Sequence, residues 1–127
     1  MIYLCNGFSN SMCIDPRIKR IDEPISEAEF IELLHECEWE SAIGHASLAN
    51  CLSKITGVRI SKNRAHLNIT YDDVLLMVYL QGRLPERPSY VEYKGRLNYS
   101  FVRFEKQTML DIENSLKKIE NIKIGEI

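Results

Sequence analysis

The residues of this sequence best suited to acid–base and phosphate chemistry are a histidine, two arginines and a glutamate. His45 directly follows Gly44, Arg64 stands in a polar joint further along the chain, and Arg83 and Glu86 share a loop rich in proline. Arginine forks bind phosphate oxygens through charge-assisted hydrogen bonds, and histidine transfers protons near neutral pH. These residue types favour cleavage of a phosphodiester without a metal ion.

Such a reaction would use a ribose 2′-hydroxyl of the substrate as the nucleophile toward the adjacent phosphorus. The arginines would neutralise the charge of the phosphorane, and the histidine would protonate the leaving 5′-oxygen. The sequence has no glycine-rich P-loop, no paired carboxylates and no His/Cys cluster with metal-ligand spacing, so we predict neither a metal nor a cofactor. A lone histidine on the flank of an apolar helix is more often structural, and from the residues alone that interpretation stays open.

The histidine is expected at the start of a helix. The sequence predicts a helix over 41–56, with Ser41 as its N-cap and Gly57 just after its end. Gly44 would cost about 1 kcal/mol relative to alanine in a helix interior. We therefore expect Gly44 to have another use, because an anion can come close to free N–H groups at a helix N-terminus, beside His45.

The elements before this helix are predicted from local patterns. Residues 1–5 suit a buried strand, and residues 17–22 form at best a short edge strand. Between them, residues 6–11 are polar, and their amides and hydroxyls could contact phosphate or ribose, although a plain loop is the alternative. Ser26 and Glu29 form a capping box that begins the first helix.

The second half of the chain is predicted to complete a sheet. Residues 65–70 alternate between apolar and polar side chains and residues 74–80 are continuously apolar, which indicates a β-hairpin with 74–80 as a central strand. Residues 81–88 form a stiff loop that carries charges. A last strand over 99–104 and a C-terminal helix over 108–122 follow.

Composition limits the class of protein. The chain has 127 residues, of which 45% are hydrophobic and 27% charged, as expected of one globular domain. The formal net charge of −2 disfavours a nucleic-acid coat, so any anion site must be local. No apolar run reaches the ~20 residues of a membrane span, and residues 1–5 lack the basic flank of a secretory signal. The four cysteines are expected to be free thiols in a reducing cytoplasm.

Four blocks of residues, in their order and spacing, resemble the viral ring nucleases that act as type III anti-CRISPR proteins. The blocks are Ser41-Ala42-Ile43-Gly44-His45, Gly57-Val58, Asn63-Arg64 and Arg83-Leu84-Pro85-Glu86. The resemblance covers about residues 1–104. It implies a single α/β domain with a central mixed β-sheet flanked by helices on both sides, in which about 1–105 is the family-like core. The helix predicted within about 106–127 departs from the family pattern and is expected to be a C-terminal extension.

The resemblance also implies an activity. The protein would be a homodimer that binds cyclic tetra-adenylate where the subunits meet, with no membrane or long nucleic acid as partner. It would cut the ring into linear di-adenylates that end in 2′,3′-cyclic phosphate. It would thereby switch off the second-messenger signalling of type III CRISPR defence, in the host cytoplasm if the protein is viral.

Roles for individual residues follow from the same resemblance. His45 is the expected general acid, Glu86 would orient it, and Arg83 would contact the phosphate and the transition state. The residues expected to bind the ligand are Asn6, Ser9, Gly44, Ser47 and Arg64. The sequence departs from the family pattern at Arg87, which stands where the family usually has a glycine.

Two other functions stay open. The protein could sequester a cyclic oligonucleotide without cutting it, or it could be a viral nucleic-acid-binding regulator. The acidic net charge and the absence of a basic stripe disfavour the regulator. Product analysis after incubation with the ring in EDTA discriminates cleavage from sequestration.

Overall fold

A computed structural model gives the fold of residues 1–8, 12–15, 17–82 and 93–125, with the side chains of the last helix described as far as residue 120. The elements are β1 (Ile2–Cys5), β2 (Ile18–Ile25), α1 (Glu27–Glu36), β3 (Glu40–Ala42), α2 (Ala46–Thr56), β4 (Val74–Leu80), β5 (Leu97–Lys106) and α3 (Met109–Gly125). The predicted single α/β domain with an added C-terminal helix is confirmed.

The sheet is mixed, with the strand order β2-β5-β4-β1-β3. Strand β1 is parallel to both of its neighbours, β3 and β4, whereas β5 is antiparallel to β4 and β2. Because β3, β1 and β4 all run in the same direction, their carboxyl ends lie at one edge of the sheet. Polar residues that follow β1 and β3 are therefore neighbours in space.

Helices α1 and α2 pack on the first face of the sheet. Alternate residues of β4 point to opposite faces, so Leu76 and Val78 contact the helices while Leu75 and Met77 face the other way. The ring of Phe30 in α1 stacks on that of Tyr99 in β5, with ring centroids 4.2 Å apart. The buried side chains of this layer also include Leu4, Leu34, Ile43, Leu48, Ala49, Cys51, Leu52, Ile60 and Tyr93.

The helices predicted on both sides of the sheet are not found there: among the described residues, α1 and α2 share the first face and irregular chain covers the second. Phe8, Met12, Leu67 and Ile69 pack there against the side chains of β1, β4 and β5. The predicted hairpin of residues 65–70 with 74–80 is wrong, because β1 and β5 already occupy both edges of β4. Residues 65–70 contribute one isolated bridge, from Ile69 to Cys13. Their alternating pattern reflects the burial of Leu67 and Ile69 rather than a strand.

The predicted start of the second helix is also wrong. Residues 40–42 form β3 and pair in parallel with Tyr3–Cys5 of β1, so Ser41 lies on a strand and does not cap a helix. The Ser41 hydroxyl donates to the carbonyl oxygen of Ser61, 2.6 Å away. Helix α2 begins at Ala46 and ends at Thr56, so the predicted end is confirmed and Gly44 lies outside the helix.

The first helix begins as predicted, with a capping box. The Glu29 N–H donates to the Ser26 hydroxyl at 3.1 Å, and the Ser26 N–H donates to the Glu29 carboxylate at 3.2 Å. The predicted edge strand is present but longer, since β2 has 8 residues paired with β5. Its pairing partner lies about 80 residues away, and that long-range contact extends the strand beyond its local pattern.

We expect Gly57→Ala to lower the free energy of unfolding by about 1 kcal/mol, as measured by urea denaturation. Gly57 ends α2 in the left-handed region with φ 71°, and its N–H donates to the Ser53 carbonyl oxygen at 3.0 Å. An added Cβ would meet no atom within 4 Å, so the cost is conformational. Gly7→Ala is the matched control, because its Cβ would also enter open space but φ is not positive. Equal stability of the two variants would contradict this explanation.

The four cysteines are free, as predicted. Cys5 and Cys51 are buried in the two layers of the core, and burial raises the pKa of the Cys5 thiol to about 12. Both thiols are therefore protonated at neutral pH and serve as small apolar core residues. In the described part of the chain, no helix is both long enough and apolar enough to cross a membrane.

Candidate functional site

The candidate site lies at the carboxyl ends of β1 and β3. Asn6 follows β1, and Gly44 and His45 follow β3, so the parallel pairing of these strands brings the three residues together. The Gly44 N–H donates to the Asn6 side-chain oxygen at 3.2 Å. Asn6 therefore accepts from the backbone beside His45 and fixes the distance between the two strand ends.

His45 is the N-cap residue of α2. Its backbone is extended, with φ −125° and ψ 126°, and its carbonyl oxygen accepts from the Ala49 N–H at 3.0 Å. Its exposed side chain makes no capping hydrogen bond to the helix. The imidazole is thus not used to stabilise the helix start, and it stands beside the positive end of the helix dipole. This is a suitable position for a proton donor next to a phosphate.

Arg64 lies against the backbone of Gly44. The preceding residue holds it there: the Asn63 N–H donates to the Ile43 carbonyl oxygen at 2.8 Å, and the Asn63 side-chain amide donates to the Ser41 carbonyl oxygen at 2.7 Å. A Cβ on residue 44 would lie 3.4 Å from Cγ of Arg64 and 3.7 Å from its Nε. These are ordinary van der Waals distances, so the Arg64 stem lies directly against this backbone, and an alanine at position 44 would fit beside it.

Two open pockets meet at Asn6. The smaller, of about 180 Å³, is lined by Asn6, His45, Leu48, Val78, Leu80, Tyr93 and Leu97. The larger, of about 500 Å³, is lined by Asn6, Gly7, Phe8, Met12, Ala42, Gly44, Arg64, Ala65 and His66. His45 lines the pocket on one side of the Asn6–Gly44 hydrogen bond, and Arg64 lines the pocket on the other. An extended ligand could lie across both pockets.

Phe8 forms a fixed wall of the larger pocket. The Arg20 guanidinium lies over its ring, 4.8 Å from the centroid, and the Phe104 ring packs on it with centroids 5.6 Å apart. Arg20 also donates to the hydroxyl of Tyr79. Burial raises the pKa of the Tyr79 hydroxyl, so that hydroxyl stays protonated. The pKa of Arg20 is also raised, so its guanidinium keeps its charge. This cluster presents an aromatic surface of the kind on which a base could stack.

Sequence reasoning assigned neither Tyr93 nor His66 to the site. The hydroxyl groups of Tyr93 and Ser47 lie 2.9 Å apart, and Tyr93 is only 6% exposed in the pocket that His45 lines. No local pattern could have identified Tyr93, because its role depends on contact with a helix about 45 residues earlier. His66 is exposed and lines the same pocket as Arg64.

Three of the predicted site residues, Ser9, Arg83 and Glu86, lie outside the described residues, as does Arg87. Their positions relative to His45 therefore stay predictions. Asn6, Gly44, His45 and Arg64 are brought together, and Ser47 is the second residue of α2 and forms a hydrogen bond with the Tyr93 hydroxyl. Within residues 1–8, 12–15, 17–82 and 93–125, no group of three or more His, Cys, Asp or Glu side chains could hold a metal ion.

Comparison with known proteins places the chain in a family. The model of the STIV B116-like family matches residues 2–93, most of the chain and all the predicted site residues. The chain belongs to the STIV B116-like family. Helix α3 begins beyond the matched residues.

Two viral proteins are similar to this chain. "Uncharacterized protein ORF117" of Acidianus two-tailed virus is 36% identical over 74 residues, which is 57% of this chain. The match spans 63% of that relative, less than two thirds of its length. The solved structure of B116 of Sulfolobus turreted icosahedral virus is similar with a TM-score of 0.68 and 25% identity, covering 80% of this chain and 97% of B116.

Proposed function

We propose that this member of the B116-like family is a metal-independent ring nuclease that cleaves cyclic tetra-adenylate into linear di-adenylates ending in 2′,3′-cyclic phosphate. The observation that supports this most strongly is the grouping of His45, Asn6 and Arg64 around Gly44 at one edge of the sheet. A proton donor and a cation placed close together suit cleavage of a phosphodiester by an internal nucleophile, and Asn6 holds the backbone between them through the Gly44 N–H.

The proposed reaction has one displacement. The 2′-hydroxyl oxygen attacks the adjacent phosphorus, so the new O2′–P bond forms as the P–O5′ bond breaks. His45 donates a proton to the leaving 5′-oxygen, and the 2′-hydroxyl loses its own proton to water or a neighbouring base. Arg64 and Arg83 would stabilise the negative charge that accumulates on the phosphorus oxygens, and Glu86 would orient His45.

A homodimer fits the symmetry of the proposed substrate. A ring of four identical nucleotides contains a two-fold axis, and two identical half-sites related by the same axis could hold opposite phosphates. The pockets on either side of Asn6 are open to solvent, which suits a ligand shared between copies. Cleavage of two opposite linkages would give two identical di-adenylates. In a viral protein, this reaction would remove the second messenger of type III CRISPR defence in the host cytoplasm.

The test is to incubate the protein with cyclic tetra-adenylate in EDTA and to separate the products by chromatography. We expect linear di-adenylates with 2′,3′-cyclic phosphate, formed at the same rate with or without added magnesium. A ring with 2′-deoxyribose at the cleaved linkages is the matched control, since it should bind but stay intact.

Three outcomes contradict the proposal in different ways. Loss of activity in EDTA would indicate a metal-dependent reaction. Products with a free 3′-hydroxyl and a 5′-phosphate would exclude attack by the 2′-hydroxyl. A ring that binds tightly and is recovered intact would support sequestration in place of cleavage.

A further inference from the structure

Tyr93 places a buried hydroxyl group beside the start of α2. Its ring belongs to the same core cluster as Leu48 and Val78, and the residue is only 6% exposed. Its hydroxyl oxygen lies 2.9 Å from Oγ of Ser47, within hydrogen-bond distance. Burying a hydroxyl group without a partner is costly, so Ser47 stabilises the tyrosine in this position.

The connection between β4 and β5 fixes Tyr93 from the other side. The Arg96 N–H donates to the Tyr93 carbonyl oxygen at 3.0 Å, and the Gln81 N–H donates to the Arg96 carbonyl oxygen at 2.7 Å. These two bonds tie the backbone of Tyr93 to the ends of both strands. Because the ring is also packed in the core, the Tyr93 hydroxyl is a fixed point beside the first turn of α2.

Ser47, in contrast, is exposed at the start of α2. It is the second residue of the helix, and the Ala49 N–H is the donor to the carbonyl oxygen of the N-cap residue His45. The N–H groups of residues 46–48 therefore have no acceptor within the helix, and they lie at the positive end of its dipole. The pocket of about 180 Å³ that His45 and Tyr93 both line opens next to these groups. A phosphate in this position would meet several hydrogen-bond donors.

The direction of the hydrogen bond between Ser47 and Tyr93 follows from the chemistry of the two hydroxyl groups. A phenol is more acidic than an aliphatic alcohol and is therefore the better donor. If Ser47 donated instead, the buried Tyr93 hydroxyl would need another acceptor for its own proton. With Tyr93 as the donor, the Ser47 oxygen accepts and its own O–H is available to an exposed acceptor. A phosphate oxygen is a strong acceptor for such a group.

We propose that Tyr93 is a positioning residue, which holds the Ser47 hydroxyl so that Ser47 donates to a phosphate oxygen of the bound ring beside His45. This inference rests on the proposed function, since it assigns a further phosphate contact in the same site. Tyr93 itself touches neither the ring nor the transferred proton and acts through Ser47. Without the Tyr93 hydroxyl, the Ser47 side chain would be free to turn among its staggered rotamers, and binding would have to restrict it.

A double-mutant cycle on ring affinity tests this role. Ser47→Ala, Tyr93→Phe and the double variant are prepared in the His45→Ala background, which prevents turnover, and binding of intact cyclic tetra-adenylate is measured by calorimetry. We expect Ser47→Ala to weaken binding about 10-fold and Tyr93→Phe about 3- to 10-fold. The double variant should bind no more weakly than Ser47→Ala alone, because Tyr93 acts through Ser47. Normal binding by Tyr93→Phe, or losses that multiply in the double variant, would overturn the proposal.

Two control variants separate positioning from packing. Tyr99→Phe is the matched control, because Tyr99 is 4% exposed in the same core layer but its hydroxyl lies 3.5 Å from the Glu27 carboxylate at the start of α1. It should leave ring affinity unchanged, and a loss equal to that of Tyr93→Phe would also overturn the proposal. Ser47→Thr keeps a hydroxyl group and should retain most of the affinity.

The parent variant distinguishes two kinds of failure. If His45→Ala, with Ser47 and Tyr93 intact, does not bind the ring at all, the proposed function fails and this inference fails with it. If the parent binds the ring and Tyr93→Phe binds it equally well, this inference alone fails. The melting temperature of each variant is measured on the same preparation, and we expect Tyr93→Phe to stay folded because it keeps the buried aromatic ring.

Discussion

Replacing His45 with alanine should slow single-turnover cleavage of cyclic tetra-adenylate by about 10²–10⁴-fold while the ring stays bound. The variant would lack the proton donor to the leaving 5′-oxygen, but Arg64 and the N–H groups at the start of α2 would remain. We expect the fold to survive, because the imidazole is exposed and makes no capping hydrogen bond. Rate, ring affinity and melting temperature are measured on the same preparation.

His66→Ala is the matched control for this experiment. His66 is also exposed and lines the neighbouring pocket, but the proposed mechanism gives it no proton to transfer. Its removal should change the cleavage rate little. If His45 is structural instead, His45→Ala would lower the melting temperature and leave the rate nearly unchanged. A folded His45→Ala variant that cleaves at the wild-type rate would end the general-acid assignment.

Arg64→Ala should weaken binding of the intact ring by about 10- to 150-fold for each lost contact, because a charge-assisted hydrogen bond contributes roughly 1.5–3 kcal/mol. The Arg64 stem lies against Gly44 at the candidate phosphate position, and its exposed guanidinium could reach a ligand there. Affinity is measured by calorimetry on the His45→Ala background, which prevents turnover. We expect a loss of the same order for Arg83→Ala.

Two further arginine variants test whether the loss of ring affinity is specific to position 64 and whether it depends on the charge alone. Arg59→Ala removes another exposed arginine, which lines neither pocket. This variant should bind the ring with the affinity of the wild type. Arg64→Lys keeps the charge but not the planar fork, so its affinity should fall between those of Arg64→Ala and the wild type. If Arg64→Ala and Arg83→Ala both bind the ring normally, the ligand lies elsewhere.

Features with a local chemical cause could be predicted from the sequence. The Ser26 and Glu29 capping box and the Gly57 helix end each depend on residues within one turn, and both are present. The grouping of Asn6 with His45 was expected from the resemblance, but the parallel pairing that produces it was not, because residues 41 and 42 of β3 were predicted as the start of a helix. Among the described residues of the predicted site, Asn6, Gly44, His45 and Arg64 lie close together, and their roles stay predictions.

Features set by distant contacts could not be predicted in this way. Ser41 has the chemistry of a helix cap, but pairing of its neighbours with β1 makes it part of a strand. Leu67 and Ile69 alternate like strand residues, yet β4 has no free edge for them. Tyr93 reaches the site only because the sheet and α2 bring it to Ser47. In each case a partner far along the chain overrides the local pattern.

The position of β5 in the sheet has a consequence for the order in which the chain can fold during synthesis. Strand β5 is the last to leave the ribosome, yet it lies between β2 and β4 and is the sole strand partner of β2 in the described sheet. Until residues 97–106 emerge, β2 has no strand to pair with and β4 has an open edge, a state prone to aggregation. The family model matches residues 2–93, so the matched segment leaves out β5 and cannot complete the sheet by itself.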